Sequence, residues 1–219
     1  MTRSTVEFIT CPECKHQSGF TTYQSINATL DPKLKQQIID WELFKFYCLN
    51  CGEPRLVCYE TLYHDMEHRI MLYYIPALDS REQEQYRFEE IFSQIKQVEG
   101  ERYSNSFDTY NFRIVSDMES FIEKVQIFDA GYDDMLIELM KFILAPKEEE
   151  DIQISYDHMV FTKVGDNSYQ FMFIYENRAV ASLKFSEEMY EHFQSEYSGL
   201  LDDSYFVDEA WAYRTVAKT

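Results

Sequence analysis

Glycine and proline are scarce, with six and five in 219 residues. So few chain-breakers exclude a collagen-like, low-complexity or linker-dominated chain. Positive charge is also in short supply: 20 Lys and Arg stand against 39 Asp and Glu, a formal net charge of −19. Affinity for nucleic acid rests mainly on Lys and Arg neutralising phosphates. Such a field therefore opposes DNA, RNA and anionic bilayers; a basic partner surface is electrostatically easier, and a well-solvated acidic surface is the simpler reading. No apolar run approaches the roughly 18–20 residues of a membrane-spanning helix. The opening stretch from Met1 to Glu7 has no signal-peptide apolar core. The expectation is a cytoplasmic protein with no membrane segment. A Gly-rich phosphate loop, a Gly-x-Ser-x-Gly elbow and a dinucleotide fingerprint are all missing, which removes the commonest enzyme signatures.

Apolar residues are plentiful at 45%, with 17 Tyr and 17 Phe. That is enough to fill one large core or two small ones. Charge is unevenly spread, since residues 1–60 hold six basic and seven acidic side chains and the acidic excess lies beyond them.

Four of the five cysteines form two pairs, Cys11-Pro12-Glu13-Cys14 and Cys48-Leu49-Asn50-Cys51-Gly52. Two Cys-x-x-Cys pairs in a cytoplasmic setting point to metal binding and away from a disulfide framework. Four thiolates suit the tetrahedral preference and softness of zinc, and four protein ligands leave no open position for a substrate water. The expected site is a structural zinc held by Cys11, Cys14, Cys48 and Cys51, with iron as the alternative. A redox dithiol fits less well, because neither loop follows a strand and opens a helix in a βαβ unit. Gly52 follows the second pair, where positive φ is common, but Lys15 follows the first; a left-handed lysine is costly, which predicts a different shape for that loop. Cys58 is expected to be a buried, inert thiol in the strand leaving the second loop.

Around the loops, Val6, Phe8 and Thr10 alternate as in a half-buried strand, and Phe20–Ile26 reads as a second strand. Asp31-Pro32 opens a helix with an Asp31 cap and a Leu34, Ile38, Trp41 face. Leu43–Tyr47 reads as an aromatic strand into Cys48. Cys11-Pro12-x-Cys14, Ser25-Ile26-Asn27, Asp31-Pro32-x-Leu34-Lys35, Leu43-Phe44, Cys48-x-x-Cys51-Gly52 and Tyr63-His64-Asp65 together resemble the bacterial CpXC domain over about residues 4–125. The one departure is Leu49, where proline is frequent. The resemblance implies a zinc-ribbon-like module and supplies no catalytic residues, the family being functionally uncharacterised.

His64-Asp65-Met66-Glu67-His68 echoes a zinc-hydrolase His-Glu-x-x-His helix. It lies between two strand-like runs, however, and a polar turn with Asp65 capping local amides is the simpler reading. Further on, Ser80-Arg81-Glu82-Gln83 predicts a helix burying Phe88, Ile91, Phe92, Ile95 and Val98, followed by a loop over 99–110 pinned by Tyr103 and Phe107. Ser116-Asp117-Met118-Glu119 opens another helix, with Phe121, Ile122, Val125 and Phe128 inward. Gly131 separates it from a third, which carries Leu136, Leu139, Met140 and Ile143 and stops at Pro146. The acidic run 147–151 follows. Three strands over 152–163, 169–175 and 179–185 predict an antiparallel meander, then a helix from Ser186 to Tyr197 and extended segments at 204–207 and 210–216. Asp133-Asp134 and Asp202-Asp203 read as helix-end carboxylates, and Trp211 as core.

The fold class expected is α+β: a zinc-ribbon-like N-terminal β module with an inserted helix, then helices and a C-terminal meander with a helix. The expected domains are 1–125, the CpXC-like region, and 126–219, a helical connector with a C-terminal α+β region. The functional expectation is a protein-interaction or scaffold module whose partner is another protein. The alternatives are a metal-dependent hydrolase using His64 and His68 or an unrecognised pocket, and a nucleic-acid-associated zinc ribbon. The oligomeric state is open.

Overall fold

The first cysteine loop turns the chain back on itself, so that β1 (Arg3–Thr10) and β2 (Gln17–Asn27) pair antiparallel. The computed structural model describes residues 1–76, 80, 82–83, 85–87, 89–90, 93, 109–145, 155–166 and 168–218. These residues form an α+β fold dividing into two units, Met1–Ile122 and Glu123–Thr219.

In the first unit a five-stranded sheet has the order β1-β2-β5-β6-β7, with β5 (Thr61–Asp65), β6 (Ile70–Tyr74) and β7 (Asn111–Val115). β5 and β6 form an antiparallel pair, whereas β2–β5 and β6–β7 are parallel. A parallel pair cannot be closed by a tight turn. The β2–β5 crossover is supplied by helix α1 (Pro32–Ile39), a 3-10 turn at Glu42–Phe44 and a two-stranded ribbon of β3 (Lys45–Tyr47) and β4 (Pro54–Leu56). Every residue of β6 is buried, as an unbroken apolar run in mid-sheet should be. Helix α2 (Met118–Asp129) begins in this unit, where Phe121 meets the rings of Phe44, Tyr63 and Tyr74 at centroid distances of 5.9, 6.5 and 5.4 Å.

In the second unit β8 (His158–Gly165), β9 (Ser168–Tyr175) and β10 (Arg178–Lys184) form the antiparallel meander, order β10-β9-β8. Glu176 and Asn177 both take positive φ, 47° and 60°, the geometry of a two-residue hairpin turn that follows strand twist. Helices α3 (Asp134–Leu144), α4 (Glu187–Tyr197) and α5 (Glu209–Val216) complete the unit. Its core is aromatic: Tyr132 lies 4.8 Å from both the Phe185 and Tyr190 rings, and Phe161 packs on Phe171 and Phe185. The edge strand β8 is covered by polar side chains of α2. Glu123 accepts the Phe161 N–H at 2.6 Å, and Gln126 accepts the Lys163 N–H at 2.9 Å. Satisfying outward-facing amides in this way removes a free edge.

Several expectations need correction. Val6 and Phe8 are exposed, and Ile9 turns inward from β1, because the face paired with buried Ser18, Phe20 and Thr22 is the odd-numbered one. Leu43–Tyr47 is strand only from Lys45; the preceding residues form the 3-10 turn that buries Leu43 and Phe44. Asp31 precedes α1 but its carboxylate takes the Thr2 hydroxyl and caps no helix amide. Asp117, not Ser116, caps α2, accepting from Ser120 N–H at 2.7 Å. The 210–216 segment is helical, and Asp208 caps it at Trp211 N–H. Trp211 is core, as expected, with its indole N–H donated to Asp202. The stripe Phe88, Ile91, Phe92, Ile95 and Val98, residues 99–108 with Tyr103 and Phe107, and Pro146 with the 147–151 run lie outside the described residues. Among the described residues no helix is long and apolar enough to cross a membrane.

Candidate metal centre

Two loops of the same design face each other. In the first, between β1 and β2, Lys15 N–H donates to the Cys11 carbonyl and Cys11 N–H to His16, both at 2.9 Å. In the second, between β3 and β4, Gly52 N–H donates to the Cys48 carbonyl at 2.8 Å and Cys48 N–H to Glu53 at 3.4 Å. The residue after each second cysteine is left-handed: Gly52 at φ 73° and Lys15 at φ 62°. The expected difference in shape is therefore absent. Lys15 accepts a strain of roughly 1 kcal/mol or more, partly offset by its ammonium donating to the Pro12 carbonyl at 2.7 Å.

The four sulfurs of Cys11, Cys14, Cys48 and Cys51 all lie within 4.8 Å of one another. Across the loops, Cys14 Sγ is 3.4 Å from Cys48 Sγ, and Cys11 Sγ is 3.7 Å from Cys51 Sγ. A tetrahedral zinc–thiolate site with bonds near 2.3 Å has sulfur–sulfur edges of about 3.8 Å. The two cross-loop separations lie close to that edge, and the chemistry of the donor set fits such an ion. Cys11 and Cys48 are buried, Cys14 is half-buried and Cys51 forms the exposed rim. Phe20 and Phe46 pack behind the sulfurs with Ile9, Val57 and Tyr59, so the inner side of the site is apolar. Two further ties hold the loops in register: Ser18 Oγ accepts the Leu49 N–H at 3.4 Å, and Arg55 pairs with Glu13 at 2.6 Å. That ion pair is solvent-exposed and contributes at most about 1 kcal/mol.

Cys14 and Cys51 differ sharply in acidity. Cys14 is drawn down to about 6, first by a hydrogen bond from the Asn50 side chain and then by the His16 backbone. At Cys51 the Glu53 backbone favours the thiolate, but desolvation and hydrogen bonds with the other three thiols outweigh it and push the group up to about 12. Four thiolates this close repel one another, and a divalent cation is what would let all four ionise together. Asn50 is a participant that the sequence reading passed over. Its signal is an amide donor lying between two paired cysteines.

Cys58 is not part of this cluster, and it is not buried. From Pro54 to Glu60 the even-numbered residues are exposed while Arg55, Val57 and Tyr59 are half-buried, and the Cys58 thiol still reaches the Tyr74 hydroxyl.

Two of the remaining family-like motifs, Ser25-Ile26-Asn27 and Tyr63-His64-Asp65, meet elsewhere, at the other end of β2. Parallel pairing sets Ile26 beside Tyr63 and Asn27 beside His64, and Ala28 N–H bonds the His64 carbonyl at 2.8 Å. The Asp65 carboxylate, 2% exposed, accepts from Glu67 N–H at 2.9 Å, His68 N–H at 3.1 Å, the His68 ring at 2.9 Å and the Thr29 hydroxyl at 3.3 Å. The Thr29 hydroxyl in turn accepts the Met66 N–H. This is the polar turn expected for His64–His68. His64 bonds the Tyr110 hydroxyl at 3.2 Å, whereas His68 is held by Asp65. Among the described residues the four cysteines are the only group of three or more such side chains at metal-binding distance.

Burial acts to raise the Asp65 pKa, but hydrogen bonds from the His68 ring and then its backbone prevail and hold the carboxyl below its usual range. Asp65→Ala is therefore expected to cost about 3 kcal/mol, since it strands several buried donors. Asp65→Asn, which keeps one acceptor, should cost less. The group's folded pKa is depressed, so its contribution is present above the ordinary carboxylate pKa near ~3.9 and fades as pH falls through the lower folded value. Urea denaturation at neutral and acid pH measures both effects; equal stability of Asp65→Ala and the parent chain at neutral pH would refute the role.

Compared with known proteins, the chain matches the family model described as "CpXC protein" over residues 9–141. No curated protein and no solved structure matches it. The matched segment takes in both cysteine loops and the Asn27–Asp31 and His64–Asp65 turns, extends past the 125 suggested by the motifs into α3, and spans more than half the chain. With its paired thiols clustered at metal-binding distance and the Ser25–Asn27 and Tyr63–Asp65 motifs paired at the far end of β2, the chain belongs to the CpXC family.

Proposed function

We propose that Cys11, Cys14, Cys48 and Cys51 hold a structural zinc ion, and that the stapled β module works in the cytoplasm as a protein-interaction element. The observation that carries this reading is the closed set of four sulfurs within 4.8 Å of one another. Zinc takes four such ligands in a tetrahedron, and the completed shell leaves no position at which a substrate or water is activated. The bound ion would supply charge neutralisation and cross-linking. The chain's own part is to preorganise the two loops through the paired backbone hydrogen bonds and the apolar wall of Phe20 and Phe46. A reduced, cytoplasmic setting suits five unbridged cysteines.

Affinity capture from native cells, with parent and Cys48→Ser chains side by side and metal content measured on both, tests the reading. The expected result is a partner protein held by the zinc-loaded chain and lost with the zinc. Partners indifferent to Cys48→Ser would overturn the role of the stapled module. More than one metal equivalent per parent chain would favour a hydrolytic site at His64 and His68 instead.

A further inference from the structure

Strand β1 is an eight-residue sheet edge whose partner among the described residues is β2 alone. Natural edges are blunted by proline, bulges, covering elements or charged side chains, lysine above all. β1 has no proline or lysine, and its one pairing irregularity lies at its start, between Arg3 and Ser4. It also carries exposed apolar side chains, Val6 at 62% and Phe8 at 76%. Cys11 N–H reaches across the hairpin to His16, and pairing is regular back to Ser4. By strand alternation the odd residues of β1 turn their amides toward β2, and Ser4, Val6 and Phe8 turn theirs outward. Among the described residues, the edge presents backbone groups with no second strand beside them and an apolar stripe in the same register.

The charges on β1 say what fits it. Arg3 and Glu7 are four residues apart, both exposed and both on the odd-numbered face. An antiparallel copy of the same strand centred on Thr5 sets Arg3 of each chain opposite Glu7 of the other. In that register Ser4 and Val6 exchange their outward backbone hydrogen bonds, and the two Val6 side chains become diagonal neighbours. Residues 1–60 hold six basic and seven acidic side chains, so this part of the chain meets its copy without the repulsion that a charge of −19 would otherwise impose. We propose that the chain dimerises through β1, two copies pairing antiparallel about Thr5 to extend the five-stranded sheet across a two-fold axis. This surface is separate from the thiol site and independent of the partner reading above.

Sedimentation velocity on the full, metal-loaded chain over a concentration series is the test. A concentration-dependent dimer is expected. Val6→Lys with Phe8→Lys should leave a folded monomer, because both side chains are exposed and the inward amides are untouched. Arg3→Glu and Glu7→Arg should each weaken the dimer about tenfold, since each turns two attractive cross-strand pairs repulsive. The double reversal Arg3→Glu with Glu7→Arg should restore the parent affinity to within about threefold. A chain that stays monomeric at every concentration overturns the proposal, even if β1 then takes a strand from another protein. So does a dimer indifferent to the lysine pair, or single reversals that the double does not rescue. Metal content on the same samples separates this outcome from the zinc reading: a monomer that keeps its zinc refutes only the dimer.

Discussion

Cys48→Ser is expected to take the chain from about one bound zinc to essentially none, and to lower the melting midpoint of its N-terminal unit by about 10 °C or more. Cys48 is the buried member of the second loop, its sulfur 3.4 Å from Cys14. A serine there offers a weaker, protonated ligand and leaves three thiolates to share one cation. The binding free energy of a structural zinc site is folding free energy, because an organised site is rare in the unfolded chain. The five-stranded sheet has its own core around Phe44, Tyr63, Tyr74 and Phe121, so the loss should fall hardest on the β3–β4 ribbon and the β1–β2 hairpin end. Cys58→Ser is the matched control; it alters an exposed thiol outside the cluster and should shift stability by less than about 0.5 kcal/mol. Metal analysis with differential scanning calorimetry reads both. Zinc lost from Cys48→Ser with an unchanged midpoint would show that the ion is no staple.

The second large effect lies in the other unit. Lys141 donates to Glu123 at 3.0 Å through both carboxylate oxygens and to Glu138 at 3.0 Å, with all three side chains at most 12% exposed. Beside it Lys124 and Asp134 form a second buried pair at 2.7 Å. Lys141→Met removes the cation that pairs with both Glu123 and Glu138 and leaves two carboxylates near one another in a low-dielectric site. Breaking one side of such a group costs about 3–5 kcal/mol, a large share of the roughly 5–15 kcal/mol that holds a domain together. Glu123 also holds the Phe161 amide at the β8 edge, so the damage should reach the meander.

The variant should also acquire a pH dependence of definite sign. Burial already raises the Glu138 pKa, and losing Lys141 raises it further. A carboxyl whose folded pKa exceeds its unfolded value near ~4.3 binds its proton more tightly when folded. The deficit should therefore be full at neutral pH and shrink as pH falls toward that value. Urea unfolding followed by aromatic fluorescence at pH values on both sides of that window decides it. A loss under about 1 kcal/mol, or a deficit that does not narrow in acid, would mean that the carboxylates are solvated.

Sequence reasoning reached furthest where one residue type has one chemical use. Paired cysteines in Cys-x-x-Cys loops, a Pro at the start of α1 and an alternating run before each turn of the meander carry their structure in their spacing. It failed where two readings share a pattern. Val6 and Phe8 alternate like a core-facing strand, yet which face of β1 is buried depends on β2, where Ser18, Phe20 and Thr22 line the covered side. Cys58 was misplaced by the same ambiguity of parity. Lys15 went the other way: local strain argued against a left-handed residue, and the hydrogen bonds that close the loop overrode it. At residues 210–216 the Asp208 cap and the burial of Trp211 and Ala212 select helix over strand.

The amino-acid sequence by itself determined which four cysteines pair off as a candidate metal site, the α+β class and the family, because thiol spacing and hydrophobic period are local properties. Only the tertiary structure decided that the two loops are near-copies facing one another, that Asn50 reaches across to Cys14, and that Asp65 ties the far end of β2. It also decided that, among the described residues, β1 pairs with β2 alone. Those outcomes rest on contacts between residues about 20 to 40 positions apart and on parallel strand pairing. Such contacts are set by how the whole unit packs, which no short window of sequence encodes.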